Sequence, residues 1–274
     1  LTAFVVREGF ILSKFYSLFS SSKGNASFVG GPSGGILVDA GVSCRRLTRS
    51  LAAHDIPAEA VQAICITHAH SDHIAGLRVF LKSHPVPVYA TEETLQELSG
   101  AMALPDVPLR AVTPQKAGII AGVEVLPFST MHDAAGSCGY RFALPDGQSC
   151  AVCTDLGCVT QEVWDAVSGT DLVLLEANYD PEMLRNGPYP LYLQERIAGE
   201  EGHLSNFDSA GLAEQLIRSG TTRLVLGHLS QNNNTMPLAE RTVLKHLREE
   251  GMARNRDFLL QVSSPEGLEQ AVIF

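Results

Sequence analysis

The segment HAHSDH, residues 68 to 73, places four side chains that are able to bind metal within six consecutive positions. It follows directly on an apolar run, residues 63 to 67, whose β-branched residues predict a buried strand. Imidazole and carboxylate groups both bind borderline divalent cations, and a loop leaving a strand can direct several side chains toward one point. The segment therefore predicts a metal site at a strand end.

Similar groups follow three later predicted strands. His132 follows residues 123–128, Asp155 follows residues 149–154, and His228 follows residues 223–226. One loop cannot complete two metal sites, so ligands from other strand ends are needed for a dinuclear centre. The recurrence of these groups at strand ends predicts that distant segments converge on a shared site.

The rest of the chain alternates short apolar runs with helical patterns, which is typical of a layered α/β fold. The first strands, at residues 14–19, 26–29 and 36–38, are joined by Gly- and Ser-rich turns and predict hairpins. A helix is predicted to begin after Ser43, with Leu47 and Leu51 on its buried face. Residues 74–82 predict a further helix, and residues 258–262 and 268–274 predict the final strands.

Composition favours one large domain, residues 1–274, because 45% of the residues are hydrophobic and 18% are charged. We expect the polar, irregular stretch at residues 181–206 to be a cap loop over the site. No apolar run approaches the roughly 20 residues that cross a bilayer. No secretory signal is evident, so we expect a cytoplasmic protein that does not interact with membranes. The six cysteines are expected to be buried, reduced thiols.

The formal net charge of −10 argues against an extensive basic surface of the kind that coats nucleic acid. Two bound divalent cations would still make the site itself locally positive. Charge alone therefore does not identify the substrate.

The ordered set of HAHSDH, His132, Asp155 and His228, with the early Asp39, resembles the motif set of the metallo-β-lactamase superfamily. The resemblance implies an αββα four-layer sandwich with a dinuclear site at one edge. It also implies that His68, His70 and His132 bind one metal and that Asp72, His73 and His228 bind the other, with Asp155 bridging them. Asp39 would hold the ligand loop in place by hydrogen bonding, as such partners of ligating histidines usually do.

Five smaller motifs are similar to those of the YycJ/WalJ-like branch of this superfamily. They are SSSKGN (residues 20–25), HDA (132–134), LEANYD (175–180), GHLSN (202–206) and GHLSQNN (227–233). This branch is related to the nucleases tRNase Z and RNase J, and its members are usually assigned as 5′ to 3′ exonucleases on DNA. The resemblance therefore implies a phosphodiester substrate, DNA rather than RNA, although RNA stays open. The branch normally lacks the first dozen residues, which reflect either an assigned start or an extension without catalytic purpose.

Two cations held in this way, Zn²⁺ or Mn²⁺ with Fe²⁺ as a further candidate, would share a water molecule and lower its pKa from about 15.7 toward 7. The predicted catalytic residues are Asp72 and His203. His203 is suited to contact phosphate or to protonate a leaving oxygen near neutral pH. The Asn25 side chain is a second candidate for substrate binding. A hydrolase of small acyl substrates, such as thioesters or lactones, would use the same site and stays the alternative, and the oligomeric state stays open.

Overall fold

Two seven-stranded sheets form the centre of the structure, a computed structural model that describes residues 14–31 and 33–274. In spatial order, the first sheet contains β14 (Val272–Ile273), β1 (Lys14–Phe19), β2 (Ala26–Gly31), β3 (Gly34–Val38), β4 (Val61–Cys65), β5 (Val88–Thr91) and β6 (Leu109–Val112). The second contains β13 (Leu259–Val262), β12 (Arg223–Gly227), β11 (Leu172–Glu176), β10 (Ser149–Cys153), β9 (Cys138–Ala143), β8 (Val123–Ser129) and β7 (Gly118–Ile120). In each sheet one half is antiparallel, and four neighbouring strands, β3 to β6 and β10 to β13, are parallel.

Helices cover the outer face of each sheet. Along the chain they are α1 (Cys44–Ala53), α2 (Ser71–Ile74), α3 (Leu77–Ser83), α4 (Glu92–Ala101), α5 (Gln161–Val167), α6 (Pro181–Asn186), α7 (Leu191–Ala198), α8 (Asn206–Ser219) and α9 (Met236–Glu249), with a 3-10 turn at Ala58–Ala60. Apolar residues of α1, α3 and α4 pack on the first sheet, and those of α5, α8 and α9 pack on the second. The predicted αββα sandwich is confirmed.

Alternation along the strands accounts for the layers, because successive side chains of a strand point to opposite faces. In β3, Ile36 and Val38 join the core between the sheets, whereas Leu37 joins the core beneath the helices. In the same way, Leu174 of β11 faces the first sheet, and Leu175 faces the outer helices. The strands β3 and β11 are thus buried on both faces, as parallel strands usually are.

The predicted helix after Ser43 is confirmed. The Ser43 hydroxyl accepts a hydrogen bond from the backbone N–H of Arg46, and Leu47 and Leu51 are fully buried. Burial of one leucine side chain contributes roughly 1.5–3 kcal/mol, so this face fixes α1 on the first sheet.

The single helix predicted over residues 74–82 is wrong, because α2 and α3 are separate helices. The break lies at Gly76, whose N–H donates to the carbonyl of Ala40. A Cβ at Gly76 would lie 2.0 Å from the Val42 carbonyl oxygen, so only glycine allows this approach. The strand predicted over residues 268–274 is also shorter, since only β14 forms there.

Residues 181–206 are less irregular than their sequence indicates, because they contain α6 and α7. Asp180 caps α6 through its side chain, and Pro181 occupies the first turn, a combination typical of a helix start. None of the helices in residues 14–31 and 33–274 is long and apolar enough to span a membrane. The expectation for the first dozen residues lies outside the described part of the chain.

Candidate metal centre

Three predicted site residues follow strand ends in an unusual backbone conformation. Asp39, Asp155 and His228 come after β3, β10 and β12, with φ angles of 61°, 58° and 54°. Few side chains other than glycine adopt this left-handed region, although aspartate, asparagine and histidine do so more readily than most. The turn ends each strand abruptly and brings the three side chains to the same edge of the sandwich.

His68, His70 and His132 form the first cluster. One ring nitrogen from each lies within 4.8 Å of the others. His70 Nδ1 is 3.4 Å from His132 Nε2, and His68 is fully buried. The predicted trio is therefore brought together from the loop after β4 and the loop after β8.

The second cluster contains Asp72, His73 and His228, again with one atom of each within 4.8 Å of the others. Asp72 Oδ2 lies 3.5 Å from His73 Nε2 and 3.7 Å from His228 Nε2. Asp72 and His73 belong to α2, so this part of the predicted loop is one helical turn.

Asp155 lies between the two clusters. Its Oδ1 is 3.7 Å from His132 Nε2 in the first cluster and 3.5 Å from His228 Nε2 in the second. Its Oδ2 is 3.5 Å from His73 Nε2. The carboxylate is thus placed where a ligand shared by two cations would lie.

Several atoms of these residues lack a hydrogen-bond partner. In residues 14–31 and 33–274, His68 Nε2, His228 Nε2 and Asp155 Oδ2 are buried and without one. Buried polar atoms left in this state cost free energy unless another group satisfies them. Nitrogen and oxygen atoms in this arrangement fit divalent cations such as Zn²⁺ or Mn²⁺. The donor set therefore fits a metal centre, while the role of each ligand stays a prediction.

Asp39 contacts the ligand segment as the resemblance implies. Its Oδ2 accepts hydrogen bonds from His73 Nδ1 at 2.8 Å and from the Thr67 hydroxyl at 2.9 Å, and its Oδ1 accepts one from the Thr67 N–H. Because Nδ1 of His73 is held by Asp39, Nε2 is directed toward the second cluster. His132 is oriented in a similar way, with Nδ1 bonded to the Gly202 carbonyl.

Glu176, part of the motif LEANYD, contacts two predicted site residues, and sequence reasoning assigned it no role. This fully buried carboxylate accepts hydrogen bonds from Nδ1 of both His203 and His228, each at 2.8 Å. It also accepts bonds from the backbone N–H groups of Leu156 and Leu204. A glutamate at the end of the apolar run LVLLE, just before a turn, was the available signal.

The carboxyl groups of the site stay ionised. Burial alone would raise the pKa of Glu176, but the charges and hydrogen bonds of His203 and His228 outweigh burial and lower the pKa to about 2. Burial is likewise opposed at Asp72 and Asp155, where the neighbouring imidazoles hold both pKa values well below the usual range. By contrast, burial followed by the charge of His73 lowers the pKa of His68. Burial is outweighed at His73 and His228 by the neighbouring carboxylates, which raise the pKa of His73 and raise that of His228 to about 10. Since neutral imidazoles and ionised carboxylates are the forms that bind cations, a bound cation would displace the protons of these two rings.

His203 and Asn25, the two predicted substrate-binding residues, lie at the centre but have different surroundings. His203 lines a cavity of about 260 Å³ together with Ser22, His70, Ser71, Asp72, His132, Asp155, Arg196 and His228. Asn25 is buried, and its side-chain nitrogen lies 2.9 Å from the Ser21 carbonyl and 3.3 Å from Asp72 Oδ2. These contacts hold the turn between β1 and β2 against α2. A contact of Asn25 with substrate stays a prediction.

The predicted cap is tied to the centre by backbone hydrogen bonds. The N–H of His203 donates to the Ile197 carbonyl, and the N–H of Asp133 donates to the Glu201 carbonyl. The C-terminal end of α7 therefore holds the turn of His203, and the turn after α7 holds the loop of His132. Whether this segment also covers the site stays a prediction.

Comparison with known proteins agrees with this architecture. Residues 35–229 match the Beta-lactamase superfamily domain. Exodeoxyribonuclease WalJ of Streptococcus pneumoniae serotype 2 is 34% identical over 256 residues, which cover 92% of this chain and 95% of WalJ. Exodeoxyribonuclease YycJ of Bacillus anthracis is 33% identical over 255 residues, which cover 92% and 96%.

A solved structure extends the likeness to the fold as a whole. The metallo-β-lactamase fold protein YhfI from Bacillus subtilis superposes with a TM-score of 0.72 at 14% identity, covering 94% of this chain and 98% of YhfI. Most of the chain matches one domain family, and the two relatives exceed 30% identity over nearly their whole length. The chain belongs to the metallo-β-lactamase superfamily and, within it, to the family of WalJ and YycJ.

Proposed function

We propose that this protein is a dinuclear metal-dependent exonuclease that degrades DNA in the 5′ to 3′ direction. The observation that carries the proposal is the position of Asp155 within 3.7 Å of ring nitrogens from both ligand clusters. A shared carboxylate between two cation sites is typical of enzymes that cleave phosphodiesters by in-line displacement. The names of the WalJ and YycJ relatives support DNA as the substrate.

Two divalent cations would be held by the ligands already described. His68, His70 and His132 would hold one, Asp72, His73 and His228 would hold the other, and Asp155 would contact both. When bound, such cations polarise a phosphodiester and lower the pKa of water. A carboxylate in the shared position favours Zn²⁺, Mn²⁺ or Fe²⁺ over softer ions.

His203 would supply the proton for the leaving oxygen. Its Nδ1 is bonded to Glu176, so Nε2 is the ring nitrogen that can donate to a substrate in the cavity. The ionised Glu176 fixes the orientation of the His203 ring, and hydrogen bonds to a charged partner are stronger than neutral ones. Since Glu176 also holds His228, the proton donor and the cation site are fixed relative to each other.

The proposal is tested with purified protein reloaded separately with Zn²⁺, Mn²⁺ and Fe²⁺. End-labelled single- and double-stranded DNA and RNA are assayed beside lactone and thioester substrates. We expect about two metals per chain by mass spectrometry. We expect a labelled mononucleotide to be released early from 5′-labelled DNA but not from 3′-labelled DNA. This result would indicate degradation in the 5′ to 3′ direction.

Two variants complete this test. Asp72→Asn should greatly reduce DNA cleavage, and Asp106→Asn on an exposed loop should leave it unchanged. Full activity of metal-free protein would contradict the mechanism. Activity on the acyl substrates alone would replace the nuclease by the small-molecule hydrolase.

We also propose a cytoplasmic location, on the support of the six free thiols, which persist most readily in a reducing compartment. Fractionation of cells that produce the protein is the direct measurement. Recovery in the extracytoplasmic fraction would contradict this part of the proposal.

A further inference from the structure

A second cavity adjoins the metal centre on the side of the cap. It measures about 490 Å³ and is lined by Met131, Asp133, Arg196, Gly199, Glu200 and Glu201. Arg196 lines both this cavity and the smaller one at the ligands. The volume lies within the range of roughly 300–1,000 Å³ that is usual for small-molecule sites. A group the size of one nucleotide can therefore occupy it beside the metal centre.

Asp133 connects the Arg196 guanidinium to the metal centre. Asp133 Oδ2 accepts hydrogen bonds from Nε and Nη2 of Arg196. The other carboxylate oxygen lies 3.5 Å from His132 Nε2 and 3.9 Å from His70 Nε2. The Asp133 carboxylate thus lies between the Arg196 guanidinium and two predicted metal ligands, His70 and His132.

The guanidinium keeps free donors in this position. The bonds to Asp133 occupy Nε and part of Nη2, and 56% of the side chain is exposed. Nη1 and the second N–H of Nη2 have no other protein partner in the described part of the chain. A planar guanidinium with two parallel donors matches the oxygens of a phosphate group.

The charges of the two cavities determine where a phosphate can lie. Within residues 14–31 and 33–274, Arg196 is the one lysine or arginine lining either cavity. The carboxylates of Glu200 and Glu201 line the larger cavity and repel a second anion there. Met131, 38% exposed, adds an apolar wall against which a base or sugar can pack.

From these observations we infer that the larger cavity is a nucleotide subsite whose phosphate is bound by Arg196. The sugar and base of a nucleotide next to the cleaved linkage lie against Met131, and the adjoining phosphate lies between the guanidinium and the metal centre. Asp133 is a positioning residue, since it acts on substrate through Arg196. The inference rests on the proposed nuclease activity and adds the contact that recognises a polymer rather than an isolated phosphodiester.

The test compares wild type with Arg196→Gln, Arg196→Lys and the matched control Arg185→Gln. Arg185 lies in α6, pairs with Glu182 on the surface and lines neither cavity. The substrates are a single-stranded DNA 12-mer and bis(p-nitrophenyl) phosphate, which carries no second phosphate. We expect Arg196→Gln to lower kcat/KM on the 12-mer by about 10- to 100-fold, chiefly through KM, as for the loss of a hydrogen bond to a charged group. Activity on the small substrate should fall clearly less than activity on the 12-mer, because it has no second phosphate for Arg196 to bind.

A change in the substrate isolates the phosphate itself. One set of 12-mers lacks the terminal phosphate, and another carries a neutral methylphosphonate at the linkage next to the cleaved one. At least one of these should slow wild type and Arg185→Gln by about tenfold or more. The same substrate should not slow Arg196→Gln further, because the partner of the phosphate is already absent. The kcat/KM of Arg196→Lys on the 12-mer should lie between the values of wild type and Arg196→Gln, since lysine keeps the charge but not the two-donor geometry.

Several results would overturn the inference. One is an equal loss on the 12-mer and on bis(p-nitrophenyl) phosphate, which would place the effect of Arg196 in the metal centre. Another is that removing or neutralising a phosphate of the 12-mer slows Arg196→Gln as much as wild type. A third is that neither change to the 12-mer slows wild type. Metal content and melting temperature are measured for each variant. If Arg196→Gln does not fold, the comparison of Arg196→Lys with wild type provides the test. If wild type cleaves bis(p-nitrophenyl) phosphate but no nucleic acid, the proposed nuclease activity itself fails and the subsite fails with it.

Discussion

Asp39 Oδ2 lies 2.8 Å from Nδ1 of His73, and both side chains are buried. The hydrogen bond fixes the ring so that Nε2 is directed to the second ligand cluster. The orientation of His73, a predicted metal ligand, therefore depends on a strand end 34 residues earlier in the chain.

Asp39→Asn should weaken metal binding. The amide is uncharged and has only one oxygen, so it can no longer accept all the hydrogen bonds that Thr67 and His73 donate to the carboxylate. Loss of such a partner typically reduces metal affinity by about 10- to 100-fold. Competition with a chromophoric chelator measures the change. Asp55→Asn is the matched control, since Asp55 is exposed and also has a left-handed backbone. Unchanged affinity in Asp39→Asn would show that Asp39 does not position His73.

Asp155→Asn should remove metal from both clusters together, since its carboxylate is close to ligands in each. We expect fewer than about one cation per chain, against about two in wild type, when metal is quantified by mass spectrometry. The rise in melting temperature that added Zn²⁺ gives wild type should also be lost, because that rise follows metal affinity for the folded state. Loss of only one of the two cations would contradict a shared role.

His203→Gln should retain metal but cleave DNA about 10²- to 10⁴-fold more slowly, as for the loss of a general acid. Bis(p-nitrophenyl) phosphate should be affected much less, because its nitrophenolate leaves without a proton. Steady-state rates on the two substrates provide the comparison, with His246→Gln, a histidine of α9 paired with Glu214, as control. Equal losses on both substrates would argue for a binding role of His203 instead.

The cysteines should differ in reactivity according to burial. Burial raises the pKa of the Cys138 thiol to about 12 and raises those of Cys65, Cys150 and Cys153 as well. Because the thiolate is the reactive form, these four should resist a thiol reagent in the native state up to pH 9 or so. Cys44 and Cys158, which are half-buried, should be labelled first when alkylation is followed by peptide mass spectrometry. Rapid native labelling of Cys153 would contradict its placement beneath the outer helices.

The sequence predicts the strand-end residues well, because apolar runs mark where β8, β10 and β12 finish. His132, Asp155 and His228 each follow such a run, and the fold brings these ends to one edge. The layered architecture follows from the same patterns. All six thiols are free, as expected, although two are only half-buried.

Glu176 could not be assigned a role in the same way. Its partners His203 and His228 lie 27 and 52 positions later, and no local pattern reveals that one carboxylate serves both. The helices of the cap were missed for another reason. With six and eight residues, α6 and α7 are too short to show a clear periodicity, and α7 buries none of its residues.

The left-handed backbone at Asp39, Asp155 and His228 limits which replacements these positions tolerate. A β-branched residue would clash with its own main chain there, so valine would disturb the turn as well as the chemistry. Asparagine adopts this conformation readily and is close to aspartate in shape. A descendant of this chain that abandoned catalysis while keeping its shape would therefore be expected to carry amides where the acids now stand.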